Sequence, residues 1–281
     1  EGNNTCAECG DPEPKWASAN HGILLCIACS GVHRGLGAQV SKVRSLELDY
    51  WEPAQIDIMN SLGNKAVNTV LEALYSPMAG DSFYNKPTSS ADQHVREQWV
   101  TAKYELGKFI DTLSEDEAQT LLTNGLHNQD CLSVYTALQN GANPDHANNG
   151  PPPLLYALEH DQYASALLLL YATASVDQAD PETGCTPLHV LAGKPDNPDA
   201  HCMLLTVLKR HARIDTLNNL KLSPVDVAVS AGNATAATVL RIAALADEFD
   251  EVRVSDVPAD THQQRPRRHQ RLIKKLTQHI I

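Results

Sequence analysis

Four cysteines in the first thirty residues constrain this chain more than any other feature. They fall as two Cys-x-x-Cys pairs, Cys6 with Cys9 and Cys26 with Cys29, separated by sixteen residues. Such a pair is a knuckle that turns two thiolates toward one ion, and two knuckles complete a tetrahedral all-thiolate shell for zinc. Four thiolates leave no open coordination position, so the single Zn2+ expected here is structural rather than catalytic. Metal binding then forms part of the folding free energy of the surrounding segment. The other three cysteines, Cys131, Cys185 and Cys202, stand alone. An odd total makes a poor disulfide framework, and these three are expected as small apolar packing groups.

Around the cysteines the pattern is helical. After Glu52-Pro53, apolar residues recur at Ile56, Met59, Leu62, Val67, Val70, Leu71 and Leu74. That stripe has the period of a helix, with Pro53 suited to a first turn and Gly63-Asn64 dividing it in two. A further helix is expected from about Asp92 to Ile110. The reading for residues 1–110 is one zinc-bound domain.

Residues 111–248 repeat themselves. Pro153-Leu154, Pro187-Leu188 and Pro224-Val225 mark the same phase at spacings of 34 and 37 residues. The segments ending in Asp145, Asp177 and Asp215 mark a second phase. Units of about 33 residues, one opening on Thr186-Pro187-Leu188-His189, resemble ankyrin repeats. That resemblance implies stacked helix pairs, each burying its apolar stripe only against a neighbour. Four units are expected, the first beginning near Asp116, the outer two atypical, and Gly193–Pro198 a loop insertion. His189 fits the hydrogen-bonding turn of such a unit rather than a metal or catalytic role. The fold class is therefore mainly α, with a small zinc-bound β element and a helical solenoid behind it.

Residues 249–281 read as a basic C-terminal tail. Asp250, Glu251 and Asp256 give way to Arg265, Arg267, Arg268, Arg271, Lys274 and Lys275. Basic amphipathic tails can bind anionic lipid or partners, although a solvated or loosely docked tail is the plainer expectation. No charged-then-apolar leader opens the chain, and Glu1 stands first, so an excerpt of a longer cytoplasmic protein is expected. A four-cysteine module of this spacing also resembles GATA-type DNA-binding fingers. Charge argues against nucleic acid: the chain carries a net charge of -12. Residues 1–110 alone hold 9 Lys and Arg against 13 Asp and Glu, whereas a DNA module needs an excess of cations.

Arg34 stands five residues past Cys29. The run Cys-x2-Cys-x16-Cys-x2-Cys-x4-Arg resembles the signature of the ArfGAP family, proteins that stimulate GTP hydrolysis on Arf small GTPases. Trp16, Gly22-Ile23, Ile27, Ser41-Lys42-Val43-Arg44-Ser45-Leu46, Leu48-Asp49, Trp51, Leu62-Gly63-Asn64 and Asn68 match as well. With ankyrin-like repeats following, the resemblance is nearest to the centaurin-beta (ACAP-type) subgroup. Ala38-Gln39 departs from that subgroup, which commonly has Val-His there.

The resemblance implies an arginine finger. GTP hydrolysis builds negative charge on the phosphoryl oxygens, and a permanently charged, planar guanidinium suits that task better than an ammonium. Arg34 would be that group, with Trp16 and Asp49 at positions where substitution impairs activity. Trp16 can also pack the zinc module, and Asp49 either orients Arg34 or caps the helix starting near Pro53. Lys42 and Arg44 are candidate contacts to the GTPase or to acidic lipid. No Gly-x-x-x-x-Gly-Lys-Ser/Thr loop occurs, so GTP and Mg2+ would belong to the partner. The partner implied is a GTP-bound Arf-family GTPase. The resemblance further implies phosphoinositide membrane contact through domains outside this chain, protein partners on the repeats, and recruitment to endosomal or plasma membrane. The rival function is a catalytically inactive scaffold, which would be free to lose Arg34.

Overall fold

The computed structural model describes residues 2–76, 84–147 and 150–255, the last ten of these as backbone. They divide into two compact units, residues 1–144 with 167–173, and residues 145–166 with 174 onward. The basic segment expected over residues 256–281 lies outside the described residues.

The first unit opens on a three-stranded antiparallel sheet, β1 (Trp16–Ser18), β2 (Ile23–Leu25) and β3 (Val43–Ser45), with β1 in the centre. Trp16 is registered with Leu25 on one side and Ser45 on the other. Gly22 closes the tight β1–β2 turn at φ +65°, where a Cβ would stand 2.8 Å from that of Leu62. Only glycine allows both that backbone and that approach.

Helix α1 (Ile27–Gly35) follows β2 directly. Helices α2 (Pro53–Ser61) and α3 (Asn64–Leu71) come next, with Pro53 in the first turn and the break at Gly63 where the sequence puts it. The buried face of α2 differs from the expected stripe. It is Ala54, Gln55 and Ile58 that turn inward, while Ile56 is exposed. Ala54, Ile58 and Leu62 lie four apart, and with Ile56 halfway between them only one set can face the core.

Helix α4 (Gln93–Val100) widens into a π turn (Thr101–Glu105) and stops, rather than running on to Ile110. The Leu106 N–H donates to the Thr101 carbonyl and the Lys108 N–H to that of Ala102, and the widened turn buries Ala102 and Lys103 together. Trp99 and Phe109 stack at 5.0 Å in the apolar cluster with Val32, Leu36, Val100 and Ala102. Helices α5 (Glu115–His127) and α6 (Cys131–Gln139) complete the unit. They pack closely because Gly125 brings its backbone against Val134, where a Cβ would be 2.9 Å from the backbone nitrogen.

The second unit is built of helices, most of them short. These are α7 (Pro153–Glu159), α9 (Pro187–Gly193) with α10 (Pro198–Leu208), and α11 (Pro224–Ser230) with α12 (Ala234–Ser255). Helix α8 (Tyr163–Tyr171) spans the division between the units. Proline occupies the first turn of α7, α9, α10 and α11, where its missing N–H costs no bond. Ser223 and Asp226 cap α11 reciprocally, and Thr186 and His189 do the same for α9. His189 Nδ1 accepts from the Thr186 N–H at 3.1 Å, and its Nε2 bonds the Leu222 carbonyl 33 residues further on at 3.0 Å. Within this unit, Asp145 accepts the Ser175 N–H and Asp177 accepts the Arg213 N–H. Cys131 and Cys202 are buried, while Cys185 is half-buried. Among the described residues no helix is long and apolar enough to cross a membrane.

Candidate metal centre and arginine site

The two knuckles meet. The sulfurs of Cys6, Cys9, Cys26 and Cys29 all lie within 4.8 Å of one another, and all four side chains are buried. Cys9 and Cys26 Sγ are 3.6 Å apart, close to the ~3.8 Å edge of a tetrahedron with Zn–S bonds of about 2.3 Å. Without a cation such a quartet cannot ionise together. Hydrogen bonding to Cys26, with burial behind it, pushes Cys6 up to about 12, and sharing with Cys26 and Cys6 raises Cys29 as well. One dication supplies the missing charge. The Arg96 guanidinium donates to Cys29 Sγ at 3.1 Å, as suits a thiolate, and spends its other donors on the carbonyls of Thr88, Ser89 and Ala91. The four cysteines are placed to bind one metal ion, and the residues fit structural zinc.

The first knuckle is held from α3. Asn68 Nδ2 donates to the Ala7 carbonyl, Asn64 Nδ2 to that of Thr5, and Asn64 Oδ1 accepts the Leu24 N–H. The second knuckle is the start of α1: Cys26 is its N-cap, and its sulfur accepts the Cys29 N–H at 3.5 Å. A thiolate there also faces the positive end of the helix.

Arg34 occupies the last turn of the same helix and is exposed. Its guanidinium carbon sits 4.3 Å over the ring of Trp16. A cation–π contact of this kind steadies the side chain without spending its hydrogen-bond donors. Trp16 itself is half-buried at the start of β1. Asp49 takes neither of the roles weighed for it. Its Oδ2 accepts the Ser45 N–H at 2.7 Å, Glu52 is the N-cap of α2, and among the described residues Asp49 makes no ion pair with Arg34. Asp49 therefore closes the β3–α2 loop next to the strand residue registered with Trp16. Lys42 lies 5.2 Å from the ring of Tyr171, and Arg44 Nη1 donates to the Tyr50 carbonyl at 3.4 Å.

Behind α1 lies a buried charged cluster that no sequence motif announces. Glu8, inside the first knuckle, is fully buried and accepts from Trp99 Nε1 at 2.8 Å, Tyr104 Oη at 2.7 Å and Lys103 Nζ at 3.2 Å. Lys103 also donates to Asn68 and Glu72. Burial alone would raise the Glu8 pKa, but the Lys103 ammonium, with His33 and Tyr104, more than offsets it and holds the carboxyl well below the usual range. Burial likewise pushes His21 down to about 3. As a neutral imidazole it donates from Nε2 to the Val40 carbonyl at 2.9 Å and accepts the Tyr135 hydroxyl at Nδ1, 2.8 Å away. The partners in these contacts stand up to 114 residues apart, so no local pattern could have revealed them.

Comparison with known proteins agrees with this geometry. Residues 1–113 match the family model ArfGap, described as "Putative GTPase activating protein for Arf". The chain is 50% identical over 109 residues to the human "Arf-GAP with coiled-coil, ANK repeat and PH domain-containing protein 3", covering 39% of this chain and 13% of that protein. It is 45% identical over 130 residues to the Arabidopsis thaliana "ADP-ribosylation factor GTPase-activating protein AGD2", covering 42% and 17%. It is 38% identical over 160 residues to the Arabidopsis thaliana AGD3, covering 50% and 19%. The chain thus spans less than a fifth of the length of these relatives. The segment over residues 1–113, with its paired knuckles placed for one metal ion, matches the ArfGap family.

Proposed function

We propose that the chain is a GTPase-activating protein for Arf-family small GTPases, with Arg34 as the finger supplied in trans. The observation that carries this reading is the exposed guanidinium of Arg34 at the end of a helix whose first turn is a metal knuckle. Zinc fixes the root of α1, and the ring of Trp16 supports the side chain. A finger held in this way loses less freedom when it engages a phosphoryl group, so more of its interaction reaches the transition state. Asp49 contributes by fixing the loop beside Trp16. GTP and Mg2+ come with the GTPase, and zinc supplies rigidity alone.

In this reading residues 1–110 are the catalytic domain, residues 111–248 are ankyrin repeats and residues 249–281 a basic tail. The 34- and 37-residue spacing of the helix-opening prolines, the Thr186–His189 cap and the aspartate links between successive units support the ankyrin reading. The repeats would take protein partners. Contact with phosphoinositide membrane, at endosome or plasma membrane, would come from elsewhere in a longer protein. The test is single-turnover GTP hydrolysis on Arf with Arg34→Lys. The expected loss is about 10³-fold or more with zinc content and melting temperature unchanged, and near-normal hydrolysis would overturn the reading.

A further inference from the structure

Arg34 leaves the protein between two residues that are held from inside. His33, its neighbour, is fully buried, and Leu36 is buried just beyond. His33 Nδ1 and Ser41 Oγ share a hydrogen bond of 2.9 Å, and Ser41 Oγ and Ser18 Oγ share one of 2.8 Å. Ser18 belongs to β1, two residues from Trp16. The other ring nitrogen, His33 Nε2, has no hydrogen-bond partner among the described residues and faces Glu8 Oε1 at 3.8 Å. The ring therefore spans from the first knuckle to the central strand, straight through the base of the finger.

The same bonds pin the chain that follows the finger. Val40 and Ser41 turn back onto the Gly37 carbonyl. Asn20 Nδ2 donates to the Val40 carbonyl, and its Oδ1 accepts the Lys42 N–H. These side chains lie away from the surface that bears Arg34: Ser18, Ser41 and His33 are all buried. None can touch a bound nucleotide, yet together they set the distance between the last turn of α1, which carries Arg34, and the start of β1, which carries Trp16. A buried polar relay of this kind favours a single arrangement, because each broken bond leaves an unpaired group in a dry interior.

We infer that His33, Ser41 and Ser18 are positioning residues, a relay that fixes the Arg34 guanidinium over Trp16 in the geometry the transition state needs. The inference rests on the GTPase-activating reading of Arg34. It makes the finger's aim depend on a hydroxyl that is remote from the GTPase and is no part of the zinc site. Uniform binding of the GTPase should then be untouched, and only binding of the transition state should suffer.

The experiment uses the full chain with Ser41→Ala, and Ser18→Ala as a second variant should the first lose zinc or thermal stability. Hydrolysis on Arf-GTP is expected to fall in kcat by at least about tenfold and up to roughly 10²-fold, with KM within a factor of about two. Affinity for Arf-GDP with aluminium fluoride, a mimic of the transferring phosphoryl group, should fall in parallel, while affinity for Arf-GTPγS stays unchanged. In an Arg34→Lys background the same substitution should no longer alter aluminium fluoride binding, since its effect runs through the guanidinium. A loss that persists in that background, a rise in KM alone, or unchanged kinetics in both serine variants would overturn the relay. If Arg34→Lys itself retained activity, the functional reading would fail instead, and the two failures are told apart by that arm.

Discussion

The two units solve the same problem, how to order a chain with few aromatic residues, by opposite means. The first unit ties distant segments together with buried polar groups: four thiols from two knuckles, Glu8 with Lys103 across 95 residues, and His21 with Tyr135 across 114. The second unit keeps its bonds local or one unit away, through reciprocal helix caps and aspartates that reach the next loop 30 to 36 residues on. The difference teaches what each architecture is for. Long-range buried bonds fix a few atoms in one arrangement, as the role proposed for Arg34 requires. Stacked local bonds extend a surface, and each contributes little by itself.

That contrast can be broken most forcefully at the metal. Strong chelation should unfold the first unit while α9, α10 and α11 remain helical, because zinc thiolate binding is worth about 10–16 kcal/mol in small zinc domains. Hydrogen exchange resolved by segment checks this, and a zinc-free first unit with native protection would refute it. A smaller effect is expected from Lys103→Met. It strands the Glu8 carboxylate in a dry interior, at a cost of about 3–5 kcal/mol confined to the first unit. Denaturant melts should show the loss, and Glu8→Gln in the same chain should restore part of it. Smallest is Thr186→Val, which removes one half of the α9 cap for about 1 kcal/mol and should leave GTP hydrolysis untouched.

The amino-acid sequence discloses these two strategies unequally. Proline at the start of α7, α9 and α11, the break at Gly63 and the knuckle spacing are local signals, and each has its counterpart in the structure. Misjudgements arise where the third dimension decides. Ile56 has the right hydrophobicity for a core position but the wrong phase. Asp49 stands just before a helix in sequence, yet a backbone N–H four residues back claims it and Glu52 takes the cap. Glu8 looks like a solvated acid inside a metal motif. Its counterion, indole and phenol come from a segment some ninety residues away, and only folding brings them there. The role proposed for Arg34 rests on its spacing from Cys29, whereas the serines and histidine behind it were visible only as motif letters without a task.

The widened turn at Thr101–Glu105 has a consequence of its own. Each residue of an α-helix advances the side chain by about 100°, so one surplus residue shifts the phase of everything after it. Trp99 and Lys103, four apart, share a helix face in any case; the extra step is what lets Tyr104, five residues past Trp99, donate to the same carboxylate. The bulge is thus a clutch between two gears, disengaging the pitch of α4 from the angle the Tyr104 phenol must hold.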